Sequence, residues 1–285
     1  MQRVIRKLVF FASLATVSLA VHAEGHPPSL TLEGDAVQGG LLIGHTDPQA
    51  RVLLDERPVR VSANGAFLIG FGRDETQPLT LTITTQGGRL TRELGVRPRS
   101  YRLQRVDGLP QSRVTPPAEV SRRIQQEAAR IREARSHDDP RADFESGFIW
   151  PLHGRVTGVY GSQRILNGQP GRPHYGVDVA APVGRSVTAP ADAVVTLVDP
   201  DMYFSGGTLI MDHGHGLTST FIHLSKILVV EGQAVRQGQP VAEVGATGRA
   251  TGPHLDWRMN LFETRLDPAL VVGPMPAEKP VPATP

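Results

Sequence analysis

His174 and Asp178 stand four residues apart in Pro173-His174-Tyr175-Gly176-Val177-Asp178, and His254 and Asp256 two apart in Gly252-Pro253-His254-Leu255-Asp256-Trp257. Two imidazoles and two carboxylates, each pair framed by Gly and Pro, make up the set that a catalytic zinc ion takes as ligands and proton-transfer partners. If residues 254–256 are extended, His254 and Asp256 point to the same side, because strand side chains alternate faces. The chemistry that such a set supports is metal-assisted hydrolysis.

Those residues lie in a region, 148–272, where Gly and Val dominate, strands are short and turns come at close intervals. Within it, Thr218-Ser219-Thr220-Phe221-Ile222-His223 is a strand by composition and carries a third imidazole on a rigid element. Residues 24–97 read as a separate all-β module. Runs such as Leu41-Leu42-Ile43, Val59-Arg60-Val61, Ala66-Phe67-Leu68-Ile69 and Leu79–Thr84 are divided by turn signals at Gly39-Gly40, Asp47-Pro48, Asn64-Gly65 and Gly87-Gly88. This spacing predicts a β-sandwich of immunoglobulin-like type, with a hairpin at Asn64-Gly65, acting as a spacer or docking module.

Residues 98–147 read as a linker with one helix over about 117–136. Val120, Ile124, Ala128 and Ile131 form its narrow apolar stripe, and the charges from Arg122 to Arg135 form a solvated face. His137-Asp138-Asp139-Pro140 reads as a solvated loop. The Pro-rich residues 273–285 offer nothing to bury and are expected to be disordered. The fold expected is therefore mainly β: a β-sandwich module, a helical linker and a compact antiparallel β domain.

The chain starts with a basic Met1–Lys7, an apolar run from Leu8 to Val21 and the small-residue pattern Val21-His22-Ala23, which together read as a signal peptide over 1–23. The run is too short to span a bilayer, which takes roughly 20 apolar residues. An exported, periplasmic protein with no membrane span after cleavage is expected. There is no cysteine, so no disulfide supports the fold. The formal charge of +2 loses Arg3, Arg6 and Lys7 with the leader and becomes −1, which gives no reason to expect nucleic acid as a partner.

Residues 150–270 resemble the M23 zinc metallopeptidases, the lysostaphin-like or LytM-type endopeptidases. The resemblance rests on four blocks in order: His174-Tyr175-Gly176-Val177-Asp178, Ala189–Val195, Phe221-Ile222-His223-Leu224 and Gly252–Trp257. It implies one zinc ion held by His174, Asp178 and Asp256, with His223 and His254 handling protons, and peptidoglycan peptides as substrate. It also implies a substrate contact for Arg164. At Asp256 the usual family residue is histidine. A carboxylate has similar reach and binds zinc at about 2.0–2.2 Å. It changes the formal charge of the zinc site from +1 to zero and so predicts weaker activation of water.

Three readings follow: a zinc endopeptidase, a catalytically weak or inactive LytM-like protein that binds the wall or activates another hydrolase, and a plain β carrier domain. The last lacks a modifiable lysine in a hairpin turn. An active wall hydrolase also implies restraint, by the linker or by a regulatory protein. Outside the site, His153, His213 and His215 read as surface or turn residues, and Tyr175 and Trp257 as packing.

Overall fold

The computed structural model describes residues 27–106 and 118–276; the segment read as a signal peptide and residues 277–285 lie outside them. Seven strands form the N-terminal module: β1 (Thr31–Gly34), β2 (Leu41–His45), β3 (Arg51–Leu54), β4 (Arg57–Val59), β5 (Ala66–Gly70), β6 (Leu79–Thr85) and β7 (Gly88–Leu94). They make two sheets, β1-β2-β5 and β4-β3-β6-β7, over a core containing Leu42, Val52, Phe67, Ile69, Leu81 and Ile83. A constant-type immunoglobulin sandwich pairs its fourth strand within the first sheet. Here β4 pairs with β3 instead.

That pairing corrects the expected hairpin at Asn64-Gly65. Strand β4 has already given its edge to β3, so the turn carries the chain from one sheet to the other. The Ser62 side chain closes it, accepting the Ala66 amide at 2.8 Å, while the Gly65 amide reaches the Ser62 carbonyl at 3.0 Å.

The linker is more structured than its composition predicts. Strand β8 (Leu103–Val106) runs parallel to β10 (Gln163–Leu166), and helix α1 covers Ala118–Arg135. The predicted apolar stripe of α1 is half-buried along its length, and Ile131 is its member in the packed cluster. Ile131 and Ala134 meet Leu197, Met202 and Ile210. The charged side is not all solvated. The Glu127 carboxylate accepts the Tyr203 amide at 2.9 and 3.1 Å, Arg130 pairs with Asp199, and Arg135 is buried.

The C-terminal domain adds β9 (Arg155–Gly158), β11 (Gln169–Pro170), β12 (Val177–Ala180), β13 (Ser186–Thr188), β14 (Ala193–Met202), β15 (Gly206–Asp212), β16 (Leu217–Leu224), β17 (Lys226–Ile227), β18 (Ala234–Val235), β19 (Pro240–Glu243), β20 (His254–Leu261), β21 (Thr264–Leu266) and the short helix α2 (Pro268–Val272). Its main sheet has the order β18-β14-β15-β16-β20-β12-β9, with β21 also paired to β20, and is antiparallel throughout. The period-2 alternation of its central strands separates two faces. Val177, Val179, Leu209, Met211, Phe221, Leu255, Trp257 and Met259 enter one large core. The alternate residues, among them Asp178, Thr218, Thr220, His254, Asp256, Arg258 and Asn260, share the opposite face by register.

The N-terminal module is not a detached spacer. Leu41, Ala66 and Leu68 belong to the same core as Leu217, Trp257 and Leu266. Arg99 donates to Asp267 at 2.8 Å, and Arg73 donates to the Gly161 carbonyl at 2.8 and 3.1 Å. The start of the Pro-rich tail is also placed: the Trp150 indole N–H donates to the Gly273 carbonyl at 3.2 Å, and Met275 packs on the core.

Trp257 is fully buried, with its ring edge-on to Trp150 at 5.8 Å and to Phe221 at 6.4 Å between centroids. Trp257→Ala should therefore destabilise the chain by about 3–5 kcal/mol in denaturant unfolding, the usual cost of deleting a core tryptophan. A loss below about 1 kcal/mol would show that the core does not depend on this strand.

Candidate metal centre

Strands β12 and β20 place Asp178 directly opposite Asp256 and Ala180 opposite His254. His174 precedes β12 and is pinned through its backbone: its amide reaches the Ser162 carbonyl, and its own carbonyl accepts the Gly161 amide, both at 2.8 Å. Glycine is required close by. A Cβ on Gly176 would meet Asp256 Oδ1 at 2.5 Å, and one on Gly158 would meet Asp178 Oδ2 at 2.1 Å. This explains the glycine between His174 and Asp178 in the motif.

The two nearest ligand atoms face each other as an ion pair without hydrogen-bond geometry. His174 Nε2 lies 3.2 Å from Asp178 Oδ1, yet both atoms are buried and have no hydrogen-bond partner. Two zinc ligands at about 2.0–2.2 Å and the tetrahedral angle stand about 3.3 Å apart, so this pair has the spacing and the free lone pairs that a zinc ion needs. Asp256 completes a group whose donor atoms all fall within 4.8 Å of one another. Burial alone would lower the His174 pKa, but the carboxylates of Asp178 and Asp256 outweigh it and raise it.

Asp256 has a second partner, which composition did not reveal. Arg258, two residues on and so on the same face of β20, donates through Nε to Oδ1 at 2.9 Å and to Oδ2 at 3.2 Å, and through Nη2 to Oδ2 at 2.5 Å. Burial pushes the Asp256 carboxyl upward, but the Arg258 charge and its hydrogen bonds hold it below the ordinary range. Oδ2, the oxygen that faces His174 at 4.0 Å from Nδ1, is the one Arg258 contacts twice, so this carboxylate would have to serve the guanidinium and a metal together. The donor set therefore fits zinc, with its third member shared between the ion and a guanidinium. The signal was present in the sequence as opposite charges at i, i+2 on a strand.

The two histidines expected to handle protons, His223 and His254, are each oriented by a backbone carbonyl. His223 Nδ1 meets the Thr247 carbonyl at 2.8 Å and His254 Nδ1 meets that of Gly252 at 2.7 Å. A carbonyl only accepts, so Nδ1 carries the proton in both rings and Nε2 keeps its lone pair. The rings stand 4.9 Å apart, and His254 Nε2 lies 3.9 Å from Asp178 Oδ1. Burial lowers the pKa of His223 and favours its neutral, basic form. Its backbone is left-handed, with φ 66°, and is held there by its N–H, which donates to the Ser205 carbonyl at 2.8 Å. Non-glycine residues rarely adopt this conformation without an enforcing structure.

The other predicted residues separate. Arg164 is exposed on the β10–β11 hairpin beside His174, and no side-chain bond or ion pair ties it to the metal residues. His153 is exposed as expected. His213 and His215 are not surface residues. Both are buried in the β15–β16 turn, where the rings of Phe148 and Phe144 cover them edge-on at 5.1 Å. Burial holds His213 down to about 4, a neutral ring that bridges the Asp192 carbonyl and the Ser219 hydroxyl. Nor is the 137–140 loop merely solvated: Asp138 pairs with Arg60 at 2.6 Å and the Asp139 carbonyl accepts the His215 amide at 2.8 Å.

Residues 172–268 match peptidase family M23. Peptidoglycan DD-endopeptidase ShyB of Vibrio cholerae is 42% identical over 87 residues, which is 30% of this chain and 20% of that protein. DD-carboxypeptidase/endopeptidase Mpg of Neisseria meningitidis is 37% identical over 105 residues, covering 37% of this chain and 24% of its own. The chain thus spans about a fifth to a quarter of the length of these curated relatives. A crystal structure from Pseudomonas aeruginosa, described as a peptidase of family M23, superposes with a TM-score of 0.65 at 30% identity and covers 84% of this chain and 96% of that one.

The Asp256–Arg258 pair gives a test of the metal assignment. Arg258→Met leaves a buried carboxylate without its cation, so the metal-free protein should lose stability by about 3–5 kcal/mol, the range for breaking a buried pair. The 28% exposure of the arginine side chain favours the lower end. Zinc then gains an unshared ligand, and the rise in melting temperature on adding it should be larger than in the parent. An equal rise in both proteins would show that Asp256 does not hold the metal.

Proposed function

The chain belongs to peptidase family M23, and we propose that it is an exported zinc metalloendopeptidase that hydrolyses peptide bonds in the stems or cross-links of peptidoglycan. One observation carries the proposal: His174 Nε2 and Asp178 Oδ1 are buried, lack hydrogen-bond geometry and are spaced as two ligands of one ion, beside two imidazoles whose Nδ1 atoms are tied to backbone carbonyls. The naming of ShyB and Mpg as peptidoglycan endopeptidases supports the substrate class. Among the described residues no helix is long and apolar enough to cross a membrane.

His174, Asp178 and Asp256 would hold the ion, and zinc there would supply Lewis acidity toward a water and the scissile carbonyl. The protein's own contribution is proton management. His223, whose pKa burial lowers, and His254 would each offer Nε2 as an acceptor for the water's proton, and the imidazolium so formed would return it to the leaving amine. Fixed Nδ1–H bonds to backbone carbonyls keep each ring in the required tautomer through both transfers. The second imidazole can steady the developing oxyanion when protonated.

A second reading has one observation in its favour. Arg258 already engages Asp256, which suits a chain that binds the wall and hydrolyses it slowly or not at all.

Incubating the purified protein with muropeptides, with and without a chelator, separates the two, and product masses identify the bond. Cleavage that stops with chelator and returns with zinc is expected. His223→Ala and His254→Ala should each lower turnover by roughly 10²–10⁴-fold, the share typical of general acid–base catalysis, with zinc content unchanged. Intact muropeptides under every metal condition would rule out the enzyme and leave the wall-binding reading.

A further inference from the structure

Beyond Asp256 the same face of the sheet carries a cluster of arginines drawn from three parts of the chain. Arg258 stands on β20, and its register partner on β16 is Thr220. Arg135, in the last turn of α1, lies over that position and donates through Nη2 to the Thr220 hydroxyl at 2.8 Å. Arg265 on β21 pairs across with Asn260, to which it makes only a long contact of 3.5 Å. Arg172 and Arg265 both stack over the Tyr175 ring, at 5.9 and 5.7 Å from its centroid.

Among the described residues three of these four cations make no ion pair, although the charge of Glu263 acts on Arg135 and Arg265 from a distance. Of the four, only Arg258 forms an ion pair among the described residues, and its partner is the metal-site carboxylate. Arg135 is 6% exposed, and its Nε has no partner. The hydroxyl of Thr218, opposite Asn260 on the same face, is likewise buried and unbonded. Glu263, on the β20–β21 turn, is exposed and bridges to none of them. Burial and then mutual repulsion lower the pKa of Arg135 well below the usual arginine range and that of Arg265 to about 10. A scaffold role would require acids in contact, because a buried guanidinium without a counter-charge weakens the fold. A cleft of about 620 Å³ between the N-terminal module and the C-terminal domain reaches this edge; Tyr175 and Arg265 lie on its wall together with the acids Asp74, Glu75 and Glu263, and Arg135 sits behind that wall rather than on it.

We propose that Arg135 and Arg265, backed by Arg258 and Arg172, form a carboxylate-binding subsite beside the metal centre that seats a free carboxylate of the peptide substrate. The proposal rests on the peptidase reading for the identity of that substrate. Arginine suits the task because its fork of N–H donors matches a carboxylate in two-point contact. Arg135 comes from the linker helix, outside the matched segment 172–268. The linker would thus contribute to substrate choice as well as to folding.

The test is binding, kept separate from turnover. The full chain is held in chelator, and its affinity is measured for a synthetic stem pentapeptide with free carboxylates and for the same peptide with them amidated. The acid form should bind roughly ten- to a hundredfold more tightly, the range that a charge-assisted hydrogen bond supplies. Arg135→Gln and Arg265→Gln should each reduce that preference while leaving the melting temperature of the unliganded chain level or higher, since each removes a repelling charge. Equal affinity for the two peptides in the parent protein would overturn the proposal without recourse to any variant. A preference that persists in both variants would overturn it too. A clear acid preference in a protein that never cleaves would support the subsite and count only against catalysis.

Discussion

The pairing of β12 with β20 is the constraint on which the rest of the structure depends. It sets Asp178 against Asp256 and, through the two-residue period of a strand, assigns every neighbour to one of two environments. Leu255, Trp257 and Met259 fill the core, while His254, Asp256, Arg258 and Asn260 line the opposite face. A slip of one residue would exchange these sets, turning two charges into the apolar core and a tryptophan onto the polar face. The apolar side of β20 therefore holds the register that the polar side needs, and the packing energy of Trp257 also positions the site.

Electrostatics gives the Asp256 position its character. With histidine there, zinc and one carboxylate would sum to +1; with aspartate the sum falls to zero. Arg258 brings it back to +1 through contacts of 2.5–3.2 Å. The guanidinium also limits what the carboxylate can do, since a donor shared with a cation binds a second cation less strongly. If Asp256 serves as a ligand, it exchanges a neutral donor for a charge-balanced pair, and the pair requires the close approach that Gly176 permits.

Much of this was legible in the sequence because it is local or periodic. The spacing of His174 and Asp178, the alternation through 254–256 and the apolar stripe of α1 all describe neighbours along the chain. Strands β1 and β7 were less legible: Gly88–Leu94 carries two arginines and a glutamate on a largely exposed edge and has no apolar alternation to mark it. The left-handed backbone of His223 could not be read at all, since it is imposed by Ser205 and Thr247 from distant loops. The same holds for the buried His213 and His215. Their residue types are common in turns, and only the cover provided by Phe144 and Phe148 makes them interior.

The matched segment 172–268 contains every metal-ligand candidate, yet it is not where the site ends. Ser162 and Gly161 pin the backbone of His174, and Gly161 is itself held by Arg73 from the N-terminal module. On the far wall, Glu127 of α1 accepts the amide of Tyr203, two residues before the Ser205 carbonyl that fixes His223. Arg135 closes the polar face over Thr220. The module and the linker thus brace both sides of the candidate metal centre through hydrogen bonds to backbone, which transmit position without depending on the identity of the residues they hold. A change in how either one packs would reach His174 and His223 before it reached the carboxylates, which β12 and β20 fix from within the core.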